Sequence, residues 1–423
     1  MKKLFIAVLL GSFCLMSAGI QASYAGEIDL LLQKLVDKGV LTGAEAQQVK
    51  IETQEQVKKD IATGKSASLP AWVQNIKLKG DLRLRYQTKV EKTANDASKD
   101  TNIGRVRLRL GLEGKINEKL FAGVGIASGS GDPRSTNISF GGYNSKKTVV
   151  LDYAYAKYSP LPWLKLVGGK MLLNDTLWEP SDLIWDTDIT PEGAVLQFNK
   201  NLGPNTNLYL NTGALIVDTD TSSDNDAPMA YLIQPGVNYK FNDNLSLNGA
   251  FSLQAFQNVK NHTSSSYSSA TNTGNTTAGT SSYAHDYQMI NPALEFSIKE
   301  PFKAFGLDVE SLKLYGEYVN NLAVSKGASG FSCGFKLGNN KIEKWGDWQA
   351  KYVYAMLERD AVLDVLPDSD RYGGKTGIRS HEIELQFGLA KNTFIGFDVY
   401  RSWSIIGAKA PETLVQVDLN MKF

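Results

Sequence analysis

The chain has 423 residues, 42% of them hydrophobic and 21% charged, and its 45 basic residues almost cancel its 44 acidic ones. That balance excludes a protein that grips nucleic acid through bulk positive charge, and two cysteines exclude a disulfide framework. Mean hydropathy is −0.23, a value blind to membrane strands, whose signal lies in alternation rather than in apolar runs.

Residues 1–25 read as a signal peptide. Lys2 and Lys3 precede an apolar run from Leu4 to about Ile20, and Ser23-Tyr24-Ala25 supplies the small residues a signal peptidase needs. A membrane anchor is the other reading, but the run is short and carries Gly11, Ser12 and Ser17. Phe13 before Cys14 suits lipidation poorly. Cleavage after Ala25 leaves 43 basic residues against 44 acidic ones, and it leaves Cys333 as the single cysteine. Past the leader no segment reaches the ~18 to 20 apolar residues of a membrane helix.

Residues 26–64 differ in composition from the rest. Ile28, Leu31, Leu32, Leu35 and Val36 recur at helical spacing, Gly39 is placed to stop that helix, and Thr42-Gly43-Ala44-Glu45 has the pattern of a capping box. The second helix has only a thin stripe of Val49, Val57 and Ile61. Two readings stand side by side: a loose helical tether, and a periplasmic coiled coil that assists trimerisation. Residues 65–74 read as a linker.

From residue 75 to 423 the chain alternates apolar and polar residues in segments of roughly 10 to 14 residues, the length of a tilted membrane-spanning strand. Eight fall near 75–88, 102–116, 119–129, 148–159, 163–172, 191–199, 206–217 and 229–241. Eight more fall near 244–258, 288–299, 308–320, 329–338, 347–359, 379–390, 393–404 and 413–423. Connectors after even-numbered segments are mostly short, and those after odd-numbered ones mostly long and polar, as in a transmembrane barrel with short turns on one side and loops on the other. The expected fold is all-β: a 16-stranded antiparallel transmembrane β-barrel with a short N-terminal α-helical segment.

The last segment alternates without a break, with Val415, Val417, Leu419, Met421 and Phe423 on one face and Gln416, Asp418, Asn420 and Lys422 on the other. It resembles the closing strand of Gram-negative outer-membrane barrels, whose terminal Phe is read by the barrel-assembly machinery; Phe423 takes that place. With its leader, helical segment, linker containing Leu69-Pro70-Ala71-Trp72 and sixteen segments, the mature chain resembles a Gram-negative porin of the "putative porin" family related to phosphate-selective porins. The resemblance rests on layout and texture. It implies an outer-membrane homotrimer in contact with lipid and lipopolysaccharide, passing small hydrophilic solutes or ions by diffusion.

Side chains alternate across a strand, so the polar face must line the lumen. In the first segment Lys77, Lys79, Asp81, Arg83 and Arg85 point inward, and in the second Arg105, Arg107, Arg109, Glu113 and Lys115 do so. Lys77, Lys79, Arg83, Arg85, Arg105, Arg107 and Arg109 form a basic ladder. Outward charges near the bilayer midplane would cost about 2 to 4 kcal/mol each. A salt-bridged polar face is the plainer reading of the same residues. The third loop, about 173–190, carries Asp175, Glu179, Asp182, Asp186 and Asp188 with Trp178 and Trp185. In general porins that loop folds inward, and the resemblance sets Asp182, Asp186 and Asp188 opposite the arginines as a constriction; the alternative leaves it outside with its tryptophans at the membrane interface. Glu382, Glu384, Asp398 and Asp418 add inward carboxylates, so any anion preference is weak.

Tyr153, Tyr155, Trp163, Trp348, Tyr352, Tyr354 and Trp403 suit interfacial belts. His262, His285 and His381 share no rigid face, so neither zinc nor acid-base chemistry is supported. The Asp218–Asp226 run lacks a calcium loop's spacing and its bidentate Glu. The expectation is a porin with no cofactor, metal, nucleic-acid partner or catalytic residue. The second hypothesis is a surface adhesin or envelope-tethering barrel without an open channel, acting through residues 259–287 and the helices.

Overall fold

The computed structural model describes residue 32 and residues 34–63, 75–92, 98–219, 227–262, 274–279, 282–407 and 410–423. The chain divides into two units, 1–74 and 75–423. The expected leader, 1–25, and linker, 65–74, lie outside the described residues.

In the first unit residues 34–37 are helical, and Gly39 takes a φ of 67°, a left-handed conformation that glycine adopts with least strain at a helix end. Thr42 and Glu45 then bond reciprocally: Thr42 N donates to Glu45 Oε2 at 2.8 Å and Glu45 N to Thr42 Oγ1 at 3.3 Å. This capping box satisfies amides at the start of α1, Gly43–Thr63.

The second unit holds β1 (Ile76–Lys92), β2 (Ser98–Lys115), β3 (Leu120–Ser128), β4 (Val149–Leu161), β5 (Leu164–Lys170), β6 (Glu192–Asn201), β7 (Thr206–Ile216) and β8 (Met229–Lys240). It continues with β9 (Leu245–Gln257), β10 (Tyr287–Lys299), β11 (Ser311–Asn321), β12 (Ser329–Gly338), β13 (Trp348–Leu357), β14 (Ile378–Ala390), β15 (Thr393–Ser404) and β16 (Glu412–Lys422). Each pairs antiparallel with its neighbours in sequence, and β1 pairs with β16 from Asp81↔Lys422 to Glu91↔Glu412. The sixteen strands therefore close into a barrel with no free edge. A two-residue piece, Ile138–Ser139, extends the sheet against β2 at Arg105 and Val106, beyond the reach of β3.

The barrel is inside-out relative to a water-soluble protein. On β16 the polar positions Gln416, Asp418 and Asn420 are buried while Val415, Val417, Leu419 and Met421 are less so. Leu385 on β14 is 50% exposed and Glu382 on the same strand is 0% exposed. An apolar outer band around a polar interior is stable only where lipid covers the band.

The sequence expectation differs from the structure in three places. The β1–β2 hairpin is longer, because its alternation continues to Lys92 and resumes at Ser98. Connectors 300–310 and 339–347 follow even-numbered strands yet are not tight turns; the first holds a 3-10 turn, Lys303–Phe305. Tyr153 and Tyr155 are not interfacial. Both are buried, with rings over Gly111, Gly123 and Gly125, where the missing side chains leave room inside the barrel.

Candidate functional site

The register places the basic side chains of β1 and β2 in one patch of inner wall. Arg83 lies opposite Arg107, Arg85 opposite Arg105 and Asp81 opposite Arg109. On the other side β16 brings Asp418 opposite Arg85. Carboxylates then pair with most of the ladder. Asp81 accepts from Arg107 Nε at 2.9 Å and from Arg109 Nε at 2.7 Å. Arg85 forks onto Asp418 at 2.7 and 2.8 Å and reaches Asp370 at 3.0 Å, the bidentate geometry that favours Arg over Lys. Lys79 bonds Glu113 at 2.5 Å, while Lys77 is exposed and sits opposite Glu113 in the register. Arg83 donates to Asn137 at 2.8 Å and lies 3.6 Å from Asp418. Arg105 makes no ion pair among the described residues.

Two long loops enter the barrel. The loop of residues 171–191 is held by inward side chains of several strands: Trp178 N donates to Gln234 on β8 at 2.8 Å, Trp185 Nε1 to Gln254 on β9 at 2.9 Å, and Ser181 bonds Glu317 on β11. Residues 358–377, between β13 and β14, pack against it. Leu183, Ile184, Trp185 and Ile189 from the first loop and Ala361, Val362, Leu363, Val365 and Leu366 from the second belong to one buried apolar cluster inside the barrel. Asp364 fixes the second loop further by accepting from the amides of Gly274 and Asn275 and from the Tyr283 hydroxyl.

The acidic residues of the third loop are distributed differently from the expected row. Asp188 faces the ladder, with Arg109 Nη1 at 3.2 Å. Asp182 pairs instead with Arg371 at 3.2 Å, and Asp186 accepts from the Ser369 amide at 2.9 Å. The physical reason is the second loop, which interposes its own charged stretch, Asp368 to Arg371, between the third loop and the strands. Arg371 lies 3.1 Å from Glu382 and 3.6 Å from Asp368, and Lys351 bridges Glu382 and Glu384. The carboxylates Asp182, Asp368, Glu382, Glu384 and Asp398 come together in two groups close enough for a metal ion, and Arg371 and Lys351 pair with four of the five, all but Asp398. Burial and the nearby Asp182 push Asp368 up to about 8, against the pull of Arg371. Burial, with Asp368 and Asp188 beside it, holds Asp186 well above the usual carboxylate range. Burial works the same way on Asp182, but Arg371 and Lys351 outweigh it and hold that residue low.

The sequence reading missed Asp368, Asp370, Arg371, Arg134 and Asn137. The one signal for the second loop is Ala361-Val362-Leu363, an apolar run that an external loop has no use for.

Beside these groups the lumen holds open space. One cavity of about 340 Å³ is lined by Arg83, Arg85, Arg107, Arg109, Asp182, Asp186 and Asp188, among others. A second, of about 440 Å³, is lined by Gln87, Lys89, Glu91 and Arg105. The two share Arg134, Asn137, Ser369 and Asp370 as walls, so they are stacked along the β1–β2–β16 side. The opposite wall is rich in amides: Asn199, Asn211, Asn238 and Asn248, with Tyr209 and the charged residues Lys165 and Asp175, line a separate cavity of about 550 Å³ next to Trp178.

A family model described as "Putative porin" matches residues 39–103, 88–290 and 280–423. The chain belongs to the putative porin family. Among solved structures this porin is similar to OprB of Pseudomonas putida, with a TM-score of 0.55 at 12% identity over 82% of this chain and 94% of that one. The outer-membrane channel DcaP of Acinetobacter baumannii gives a TM-score of 0.45 at 12% identity over 82% and 97%. A Rhodopseudomonas blastica porin gives 0.43 at 11% over 82% and 100%. No curated protein sequence matches significantly. Family and fold together make this a porin of transmembrane β-barrel fold. Both barrel termini lie at the short-turn end. Phe423 closes that end, exchanging backbone hydrogen bonds with Gly80 at 2.8 and 3.0 Å while its ring lies over the same glycine.

Proposed function

We propose that this porin is a narrow passive channel for small hydrophilic solutes and ions, with the route running along the β1–β2–β16 wall. The observation that carries the reading is the pair of stacked cavities sharing Arg134, Asn137, Ser369 and Asp370. Opposed arginines and aspartates across that column set up a transverse field that orients dipolar solutes and hinders apolar ones. Because carboxylates pair with most of the ladder, ion preference is weak and anionic, resting on Arg83 and Arg105, with Lys77 at the periplasmic rim. Asp182, Asp186 and Asp188 act from the constriction loop, Asp188 directly and the other two by holding the loops together. In this reading residues 1–25 direct export, Phe423 signals the barrel-assembly machinery, and the porin works as a homotrimer amid lipid and lipopolysaccharide, with residues 26–64 in the periplasm.

The second reading, a barrel without an open channel, draws on the apolar cluster that the two loops build inside the lumen. Reversal potential in a salt gradient across a planar bilayer separates the two. The expected result is a stable conductance with a small anion preference that Arg105→Ala abolishes. A conducting barrel whose selectivity ignores Arg105→Ala would misplace the route, and a silent one would favour the second reading.

A further inference from the structure

The outward face of β14 and β15 carries charge where its neighbours carry hydrocarbon. From the periplasmic end, β14 presents Leu389, Phe387, Leu385 and Ile383 to lipid, then His381 and Arg379; β15 presents Ile395, Phe397 and Val399, then Arg401 and Trp403. Eight residues from Leu389 to His381 rise about 27 Å along the strand, or about 20 Å of height at a usual barrel tilt, so the basic residues begin where an apolar band of roughly 25 Å ends. The register makes them neighbours. His381 lies opposite Arg401, Arg379 opposite Trp403, and Tyr354 opposite His381.

Their side chains form a built surface. The Arg379 guanidinium stacks 4.6 Å above the Trp403 ring. His381 Nδ1 is hydrogen-bonded to the Tyr352 hydroxyl at 2.8 Å, with its ring 5.0 Å from Tyr354 and 5.6 Å from Trp403. Arg401 is exposed and donates to Thr413 on β16. Arg379 Nε is buried without a hydrogen-bond partner. Neither arginine makes an ion pair among the described residues, whereas most of the inward arginines do. The channel reading uses none of these groups.

We propose that this patch binds a phosphorylated lipid headgroup of the outer leaflet, with Arg379 and Arg401 holding the phosphate and Trp403, Tyr354 and His381 as the rigid floor beneath the adjoining chain. Two guanidinium groups without carboxylates call for an anion with several acceptor oxygens. Their position, outside the barrel at the top of the apolar band, is where a lipid phosphate sits and a solute in transit does not. The proposal rests on outer-membrane placement of the barrel and is independent of whether the channel conducts.

The test uses the purified full-length protein in detergent, titrated with diphosphorylated lipid A and with the same lipid after enzymatic removal of its phosphates, with bound lipid counted by native mass spectrometry. The expected result is that dephosphorylation, or the double substitution Arg379→Gln and Arg401→Gln, weakens binding by about tenfold or more. Heat-modifiable migration and unit conductance stay unchanged in that variant, showing that it still folds. Equal binding of both lipid forms would overturn the proposal, as would equal binding by the variant. Displacement by millimolar inorganic phosphate would point to a free-anion site instead, and a changed oligomeric state with lipid binding intact would make the patch a contact between copies of the chain.

Discussion

Arg85 and Arg105 face one another across β1 and β2, yet their circumstances are opposite. Arg85 is buried between Asp418 and Asp370, and removing it would take the ion pair from Asp370 and leave Asp418 with Arg83 alone, at 3.6 Å. Breaking a buried pair in this way costs about 3 to 5 kcal/mol. Arg85→Ala should therefore lower the temperature at which the barrel loses its heat-modifiable migration, and it should shift selectivity toward cations. Arg105 lacks such partners; Arg105→Ala should leave that temperature nearly unchanged, within the ~1 kcal/mol expected away from a paired network, and move the reversal potential alone. The inward aim of both residues is legible in the sequence, because a strand's period of two leaves no other credible choice. Their partners are not legible, since Asp418 lies 333 residues and Asp370 lies 285 residues from Arg85 in the chain.

The two infolded loops behave as one element. Leu363 is wholly buried in their shared cluster, so Leu363→Asp would set an unpaired charge in an apolar site at a cost of several kcal/mol. The expected result is release of residues 358–377 and a larger unit conductance; an unchanged conductance would show that the second loop does not narrow the path. The same contact depends on pH. Asp368, raised to about 8, faces Asp182, Asp186, Asp370, Arg371 and Glu382. The packed loops hold its proton more tightly than the released loop, whose carboxyl titrates near 3.9. Their stability is therefore complete below about pH 4 and declines as pH rises toward and through about 8. Protease cleavage within 358–377 should be faster at pH 9 than at pH 6, and Asp368→Asn should flatten the difference. In sequence the third loop announces itself by its acidic residues and two tryptophans, but its partner does so only by one apolar run. Nothing local in either loop says that Asp182 and Asp186 take their partners from the second loop while Asp188 alone of the three bonds an arginine of the ladder.

At the scale of the whole molecule, closure is the dominant constraint, since lipid admits strands only when every backbone group is paired. That is why strand positions were readable to within a few residues over most of the chain. The alternation of β16 and the parity of the connectors both follow from it, while connectors 300–310 and 339–347, which face water, escape it. Phe423 and Gly80 sit at the seam, where a Cβ on residue 80 would lie 2.4 Å from the Phe423 ring. Gly80→Val should displace that ring and reduce the folded, heat-modifiable fraction recovered from the outer membrane. Normal recovery would show that the seam tolerates the shift. The central claim is that solutes follow the β1–β2–β16 column. Its most direct test is single-channel conductance of Cys333→Ser carrying Asn137→Cys, before and after a bulky thiol reagent is added. Asn137 lines both cavities of the column, so the account predicts a stable current that falls on modification; a current that is insensitive to the reagent would contradict it.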